Sequence, residues 1–328
     1  MTALCASVIV CTQDRAETLR GLLHQLRGQS FPGDAFEIIV VDNGSADHTR
    51  EVVEELASTP GVHMAYVWEG RRGITFARNR GAEIARHPYL AYVDDDCSVG
   101  QNWLANLLLG FDLEDDVVAV GGRVELGWGQ QAKPAWMSRK LERWLGANEY
   151  LGNKPCILKD GERVIECNMA LRRESWAASR GFLGMEQFGS RHMAASEIVY
   201  LLAQLVRQGG KAAYMPSALA THHVRARDMK WMLQRAYWQG ASDAILEELV
   251  HRGSLVSNLP RVAMNMAALL ALVGITVVSY LRSQRGDGMF NLTRAIRRIG
   301  LVLGELRLVG DHNAARVWLS NQTSAHSQ

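Results

Sequence analysis

Three consecutive carboxylates, Asp94-Asp95-Asp96, are the stretch of this sequence best suited to chemistry. They follow Tyr89-Leu90-Ala91-Tyr92-Val93, a short aromatic and apolar run that reads as a buried strand. At the carboxyl end of a strand, alternation sends Asp94 and Asp96 to one side and Asp95 to the other. Two acidic groups on one side, in the crevice of an α/β sheet, make a hard oxygen site for Mg²⁺ or Mn²⁺. Such a cation is the usual partner of a diphosphate. The competing reading is a solvated acidic turn. What decides between the two is which other residues the chain delivers to the same place.

The elements that would position these carboxylates are legible. Ala6 to Cys11 is a β-branched run punctuated by Thr12-Gln13-Asp14-Arg15, and Thr18, Leu19, Leu22, Leu23 and Leu26 then recur at helical spacing. The unit repeats: a strand over Phe36 to Val41, a turn over Asp42 to Asp47, and a helix over Thr49 to Leu56. A third strand spans His63 to Trp68, and a third helix opens at Gly73 and ends near His87-Pro88. Alternating strands and helices predict a doubly wound, mostly parallel α/β sheet with its ligand loops at the carboxyl ends of the strands. Thr12 to Arg15, Asp42 to Asp47, Gly70 to Gly73 and Asp94 to Asp96 then face one crevice. Taken singly, Asp42 reads as a turn or capping residue and Arg78-Asn79 as a surface pair.

Bulk properties exclude several classes. The 328 residues are 48% hydrophobic, enough for one large or two moderate domains, and a net charge of +2 gives no electrostatic case for nucleic acid. Cys5, Cys11, Cys97, Cys156 and Cys167 include no CxxC pair, so neither a disulfide framework nor a zinc site is predicted. The first residues predict no secretory signal. No G-x-G-x-x-G follows the first strand and no P-loop is present, which disfavours dinucleotide oxidoreductases and Walker-type ATPases.

Taken together, Ser7-Val8-Ile9-Val10-Cys11-Thr12-Gln13-Asp14-Arg15, Ile38-Ile39-Val40-Val41-Asp42-Asn43-Gly44-Ser45, Gly73 with Ala77-Arg78-Asn79 and Gly81, and Asp94-Asp95-Asp96 resemble the family 2 glycosyltransferases over about residues 6 to 245. The resemblance implies a GT-A fold and inverting transfer from a nucleotide-diphospho-sugar, with a UDP-sugar favoured and a divalent cation required. It implies that Thr12, Gln13 and Asp14 line the nucleobase, Asp42 hydrogen-bonds it and Arg78 lies near it. Asp94 would reach the ribose and Asp96 would ligate the metal. Asn168, in Asn168-Met169-Ala170, would lie beside the donor sugar. His222, after the last strand, would complete the cation's shell, and imidazole favours Mn²⁺ over Mg²⁺. The family's catalytic base comes from a Glu-Asp pair opening a helix. Here that stretch is Ser196-Glu197-Ile198, so Glu197 is the implied base and Glu186 the fallback. Asp14 stands where the family commonly has Asn, Cys11 where it has Pro, and Ile198 where it has Asp. The last departure supports a competing reading, a non-catalytic nucleotide-sugar-binding or scaffold protein. A helix-opening Glu after Ser is also ordinary amino-terminal capping chemistry.

The organisation expected is a nucleotide-sugar-binding half over 1–115, an acceptor-binding and catalytic half over 116–225, and a helical region over 226–328. Trp128, Trp136, Trp144 and Tyr150 suit either sugar stacking or packing. Downstream, Arg225, Arg227 and Arg235 could neutralise a diphosphate. Val262 to Leu281 is a nearly uncharged run of membrane-spanning length, bracketed by Arg261 and Arg282. Asn291 to Gly304 is basic and amphipathic. Together they predict a membrane-associating extension on the cytoplasmic face, with an in-plane hairpin preferred over a span. The acceptor expected is a glycan or a lipid-linked sugar.

Overall fold

The first strands are β-branched and buried along their whole length, which a sheet achieves when helices cover both of its faces. The computed structural model describes residues 4–159, 161–183, 197–225, 227–251, 255–282, 285–306 and 308. In chain order its strands are β1 (Ala6–Thr12), β2 (Phe36–Asp42), β3 (His63–Trp68), β4 (Tyr89–Val93), β5 (Cys97–Val99), β6 (Val117–Gly127), β7 (Cys156–Ile157), β8 (Asn168–Arg172) and β9 (Lys211–His223). Its helices are α1 (Ala16–Arg27), α2 (Thr49–Ala57), α3 (Ile74–Ile84), α4 (Trp103–Leu108), α5 (Arg139–Glu142), α6 (Arg173–Ala177), α7 (Glu197–Arg207), α8 (Met229–His251), α9 (Leu255–Leu281) and α10 (Arg285–Glu305). α1 buries Leu19, Leu22, Leu23 and Leu26, and α2 buries Val52, Val53 and Leu56, the periodic positions read from the sequence.

The described strands form one mixed sheet in the order β3-β2-β1-β4-β8-β6-β9-β5, with β7 on β9. β1 to β4, β6 and β9 run in one direction; β5, β7 and β8 oppose them. This is the expected mostly parallel α/β architecture. Two short strands, β5 and β7, went unread because three and two residues carry no periodicity. β9 runs through Pro216 to His223, because a register shift opposite Gly122 and Arg123 absorbs the proline.

The chain divides into two compact units. The first comprises Met1–Gly129, Arg143–Phe182 and Leu201–Val224, and contains the sheet. The second comprises Gln130–Glu142, Leu183–Tyr200 and Arg225–Gln328, and contains α8, α9 and α10. In the second unit α10 packs along both α8 and α9. Its contact with α8 is backbone to backbone: a Cβ at Gly240 would collide with the Arg297 carbonyl, and one at Gly300 with the Tyr237 carbonyl. Arg297 pairs with Asp243 across the same seam. Within α9, Leu259–Ser279 is a 21-residue segment long and apolar enough to cross a membrane.

Asn168, expected beside the donor sugar, has a fully buried side chain. The amide oxygen accepts the Trp103 indole N–H at 2.8 Å, and the amide nitrogen donates to the carbonyls of Arg123 and Ala218, each at 2.8 Å. One carboxamide therefore ties β8, β6, β9 and α4 together. Only glycine fits at position 122 beside it, since a Cβ there would strike Asn168 and the Ala218 carbonyl. The residue acts as a structural pin, because two of its three contacts are buried and the third is part-buried. Asn168→Ala strands one donor and two acceptors at about 1–3 kcal/mol each before relaxation. The expected loss is on the order of 3 kcal/mol in chemical denaturation. An unchanged midpoint with a raised donor KM would restore the sugar-contact role.

Candidate active site

The three carboxylates lie on a tight turn past the end of β4, closed by the Cys97 N–H donating to the Asp94 carbonyl at 3.0 Å. Strand alternation therefore does not sort them as expected. Asp95 and Asp96 share one cation: the Arg15 guanidinium reaches Asp95 Oδ1 at 2.7 Å and Asp96 Oδ2 at 2.5 Å. Asp95 is buried and also accepts the Thr12 hydroxyl at 2.7 Å. Asp94 faces Arg78, buried in α3, at 3.4 Å. His222 Nε2 lies 3.5 Å from Asp96 Oδ1, and its Nδ1 is 3.0 Å from the Leu145 carbonyl oxygen. Three carboxylates thus meet three cationic groups.

The titration behaviour follows from that arrangement. Burial pushes the Asp95 carboxyl up to about 6, against the pull of Arg15 and Thr12. Burial would raise Asp96 too, yet hydrogen bonding and charge from His222 and Arg15 hold it at about 2. Burial would lower His222, and Asp96 raises it instead to about 9. The His222–Asp96 pair is therefore fully charged at neutral pH. Its contribution fades as pH falls through about 2, where Asp96 takes a proton, and as pH rises through about 9, where His222 loses one.

His222 reaches this point through β5. The turn delivers the chain from β4 to the edge strand β5, whose Cys97 pairs with His222 of β9. The His223 N–H then donates to the Asp96 carbonyl at 2.8 Å. An imidazole and a carboxylate at this separation suit a divalent cation. Among the described residues no group of three or more His, Cys, Asp or Glu side chains could hold a metal alone. Such a cation would need oxygens from a diphosphate or water to fill its shell.

Asp42 ends β2 and is almost fully buried. Its Oδ1 accepts the Ser45 N–H and its Oδ2 the Tyr66 hydroxyl, both at 2.8 Å. Burial and that hydrogen bond push Tyr66 up to about 12, so the phenol stays a donor. Each carboxylate oxygen keeps acceptor capacity for a further donor. In register with Asp42 on β3, Trp68 is 64% exposed and offers a ring face on the same edge.

The loops around Asp42 are tied to each other. Asn43 donates to the carbonyls of Glu69 and Arg71 and accepts the N–H of Gly73, whose φ of 137° favours glycine. Asp14 holds a left-handed φ of 54°, which Asp tolerates better than most residues. Its carboxylate accepts the Ala46 N–H at 2.6 Å while its own N–H donates to Ser45 Oγ at 2.9 Å. Its side chain thus braces two loops. Gln13 beside it is exposed.

The first unit therefore brings together Thr12, Arg78, Asp94, Asp96 and His222, with Asp42 at the end of β2 in register with Thr12. Glu197 opens α7 in the second unit and is 6% exposed, followed by the buried Ile198. Glu186 and Ser196 lie outside the described residues. Trp128, Trp136 and Trp144 are half-buried, and Tyr150 lies under the Arg143 guanidinium at 4.1 Å. Arg227 and Arg235 both lie over the Trp231 ring. Arg15 was read only as loop punctuation. Three adjacent carboxylates needing a cation were the signal that would have singled it out.

Comparison with known proteins places this geometry. The family model described as glycosyl transferase family 2 matches residues 7–176. A glucosyl-dolichyl phosphate glucuronosyltransferase from Haloferax volcanii is 22% identical over 253 residues, covering 76% of this chain and 79% of that protein. The succinoglycan biosynthesis protein ExoM from Rhizobium meliloti is 28% identical over 247 residues, covering 74% and 75%. Among solved structures, a mannosyltransferase from Pyrobaculum calidifontis in complex with GDP-Man and Mn²⁺ superposes with a TM-score of 0.57 at 19% identity, covering 90% of this chain and 86% of that one. GalNAc-T7 with UDP, GalNAc and Mn²⁺ gives 0.53 at 20% identity, covering 76% and 48%. The fold is of the GT-A type, and the chain belongs to glycosyltransferase family 2.

Proposed function

We propose that this glycosyltransferase moves a sugar, with inversion, from a nucleotide-diphospho-sugar to a hydroxyl of a glycan or lipid-linked acceptor at the cytoplasmic face of a membrane. The observation that carries the reading is the Asp94–Asp96 turn with Arg15, Arg78 and His222 gathered around it. A cationic rim on an acidic turn suits a diphosphate with a divalent ion, Mn²⁺ or Mg²⁺, held by Asp96 and His222. When bound, that ion supplies positive charge to the departing diphosphate. Asp42, Thr12, Gln13 and Asp14 take the nucleobase side, with Arg78 nearby, and Asp94 takes the ribose. Glu197 removes the proton from the acceptor hydroxyl as it attacks the anomeric carbon. The donor favoured is a UDP-sugar. The relative named for action on glucosyl-dolichyl phosphate supports a lipid-linked acceptor, and the two solved neighbours with bound Mn²⁺ support the cation.

Two experiments test these roles. Binding of the ion at His222 must expel a proton from an imidazole titrating near 9, so Mn²⁺ affinity should climb about tenfold per pH unit between neutrality and that value. Calorimetry should show His222→Ala flattening the slope and Asp96→Ala abolishing Mn²⁺ binding and turnover together. A steep slope retained in His222→Ala would remove the imidazole from the shell. Glu197→Gln should cut kcat by about 10²–10⁴-fold and leave the donor KM within about twofold. Wild-type turnover in that variant would move the base elsewhere. A protein that binds donor with Mn²⁺ but releases no nucleoside diphosphate would be a binding module, the reading that Ile198 invites.

A further inference from the structure

α9 has its polarity reversed relative to a helix that faces water. Among its described uncharged side chains, the polar Asn265, Thr276 and Ser279 are buried, whereas Met264, Leu270, Val273, Ile275, Val277 and Leu281 are exposed. Asn265 donates to both Glu305 carboxylate oxygens at 3.0 Å and accepts from Arg298. Thr276 donates to its own helix at the Leu272 carbonyl, 2.7 Å away. Among the described residues from Val262 to Leu281, no exposed side chain is polar. A protein partner's footprint carries a polar rim around its apolar centre. This surface has no rim along its length and is bounded by Arg261 and Arg282 at the two ends of the run, with Arg294 exposed on α10. Hydrocarbon below and anionic headgroups beside the arginines fit that distribution.

The partner helix fixes the orientation. α10 begins four residues after α9 ends, and Asn265 near the start of α9 meets Glu305 at the end of α10, so the two helices are antiparallel. Arg294, Arg297 and Arg298 consequently fall alongside the middle of the Leu259–Ser279 segment. If α9 crossed a bilayer, those three guanidinium groups would sit near its centre, where charge is least tolerated. If α9 lies flat beneath α10, the exposed Arg294 stands at headgroup depth, where a long basic side chain extends toward water, while Arg297 and Arg298 keep their partners Asp243 and Asn265.

We propose that α9 lies along an anionic bilayer surface, submerged in the acyl boundary with α10 above it, and does not span the membrane. This deepens the membrane placement proposed for the enzyme and rests on that reading only for its biological purpose. In flotation assays the full chain should rise with vesicles of mixed phosphatidylcholine and phosphatidylglycerol. Leu270→Asp/Val277→Asp, at two exposed positions, should keep a wild-type circular-dichroism spectrum and lose vesicle binding by about tenfold or more. In sealed inside-out membrane vesicles, an impermeant maleimide should label both the half-exposed native Cys156 and the introduced thiol of Arg282→Cys, read by peptide mass spectrometry. Labelling of Cys156 with protection of position 282 would mean that α9 crosses the bilayer and would overturn the proposal. So would failure to bind vesicles, whether the chain stays monomeric or self-associates through α9. Vesicle binding without sugar transfer leaves the in-plane seat standing and defeats the transferase roles. Transfer without vesicle binding does the reverse.

Discussion

Charge compensation at the Asp94–Asp96 turn is the constraint on which the first unit depends. Three carboxylates in consecutive positions repel one another, and partial burial deprives them of the water that would screen them. Arg15, Arg78 and His222 answer that repulsion from three separate elements: the loop after β1, the helix α3 and the strand β9. The turn is thereby fixed to parts of the sheet that are far apart in sequence. Asp95 is the most enclosed of the three, and that burial outweighs Arg15 and Thr12, which is why its carboxyl titrates near 6. Asp96, nearer solvent and paired twice, stays ionised. A ligand carrying positive charge is therefore expected to find Asp96 ready and Asp95 already committed to Thr12 and Arg15.

Around this charged centre the scaffold is held by neutral carboxamides. Asn168 joins four elements. Asn148, also fully buried, accepts from the Val124 N–H and donates to the Gly122 carbonyl. Asn43 ties the loops after β2 and β3. An amide satisfies buried backbone groups as donor and acceptor at once and adds no charge to disturb the neighbouring carboxylates. The division of labour is consistent: amides set strand and loop positions, and ionised groups stand at the crevice.

Two of the three departures from the family pattern, Asp14 and Ile198, have different physical weight. Asp14 keeps the oxygen that an Asn would offer, and uses it to hold the Ala46 N–H from a left-handed backbone position. That exchange costs little, because both residue types tolerate this conformation and both accept a hydrogen bond there. Ile198 removes a carboxylate and is buried. It is a buried hydrophobic residue next to Glu197 in sequence, so the base role proposed above rests on Glu197 alone at this helix start. The second unit reverses the usual rule of burial along α9, where polar groups turn inward to Glu305 and Arg298 and apolar groups turn out.

By itself the sequence determined the alternating strands and helices, the crevice position of the four loops and the acidic turn. These follow from local periodicity and from the β-branched and turn residues at element ends, signals that act over a few positions. It also marked the apolar Val262 to Leu281 run, because length and composition suffice for that. Only the tertiary structure decided what surrounds Asp94-Asp95-Asp96. His222 reaches it through a register set by β5, a strand too short to carry a pattern, and Arg15 through the parallel pairing of β1 with β4. Asn168 was legible as a motif but not as a pin, since its three partners come from α4, β6 and β9. Pairing across such distances depends on which strands become neighbours, and that is fixed by packing of the whole sheet. The acidic turn was written in the chain; its partners were chosen by the fold.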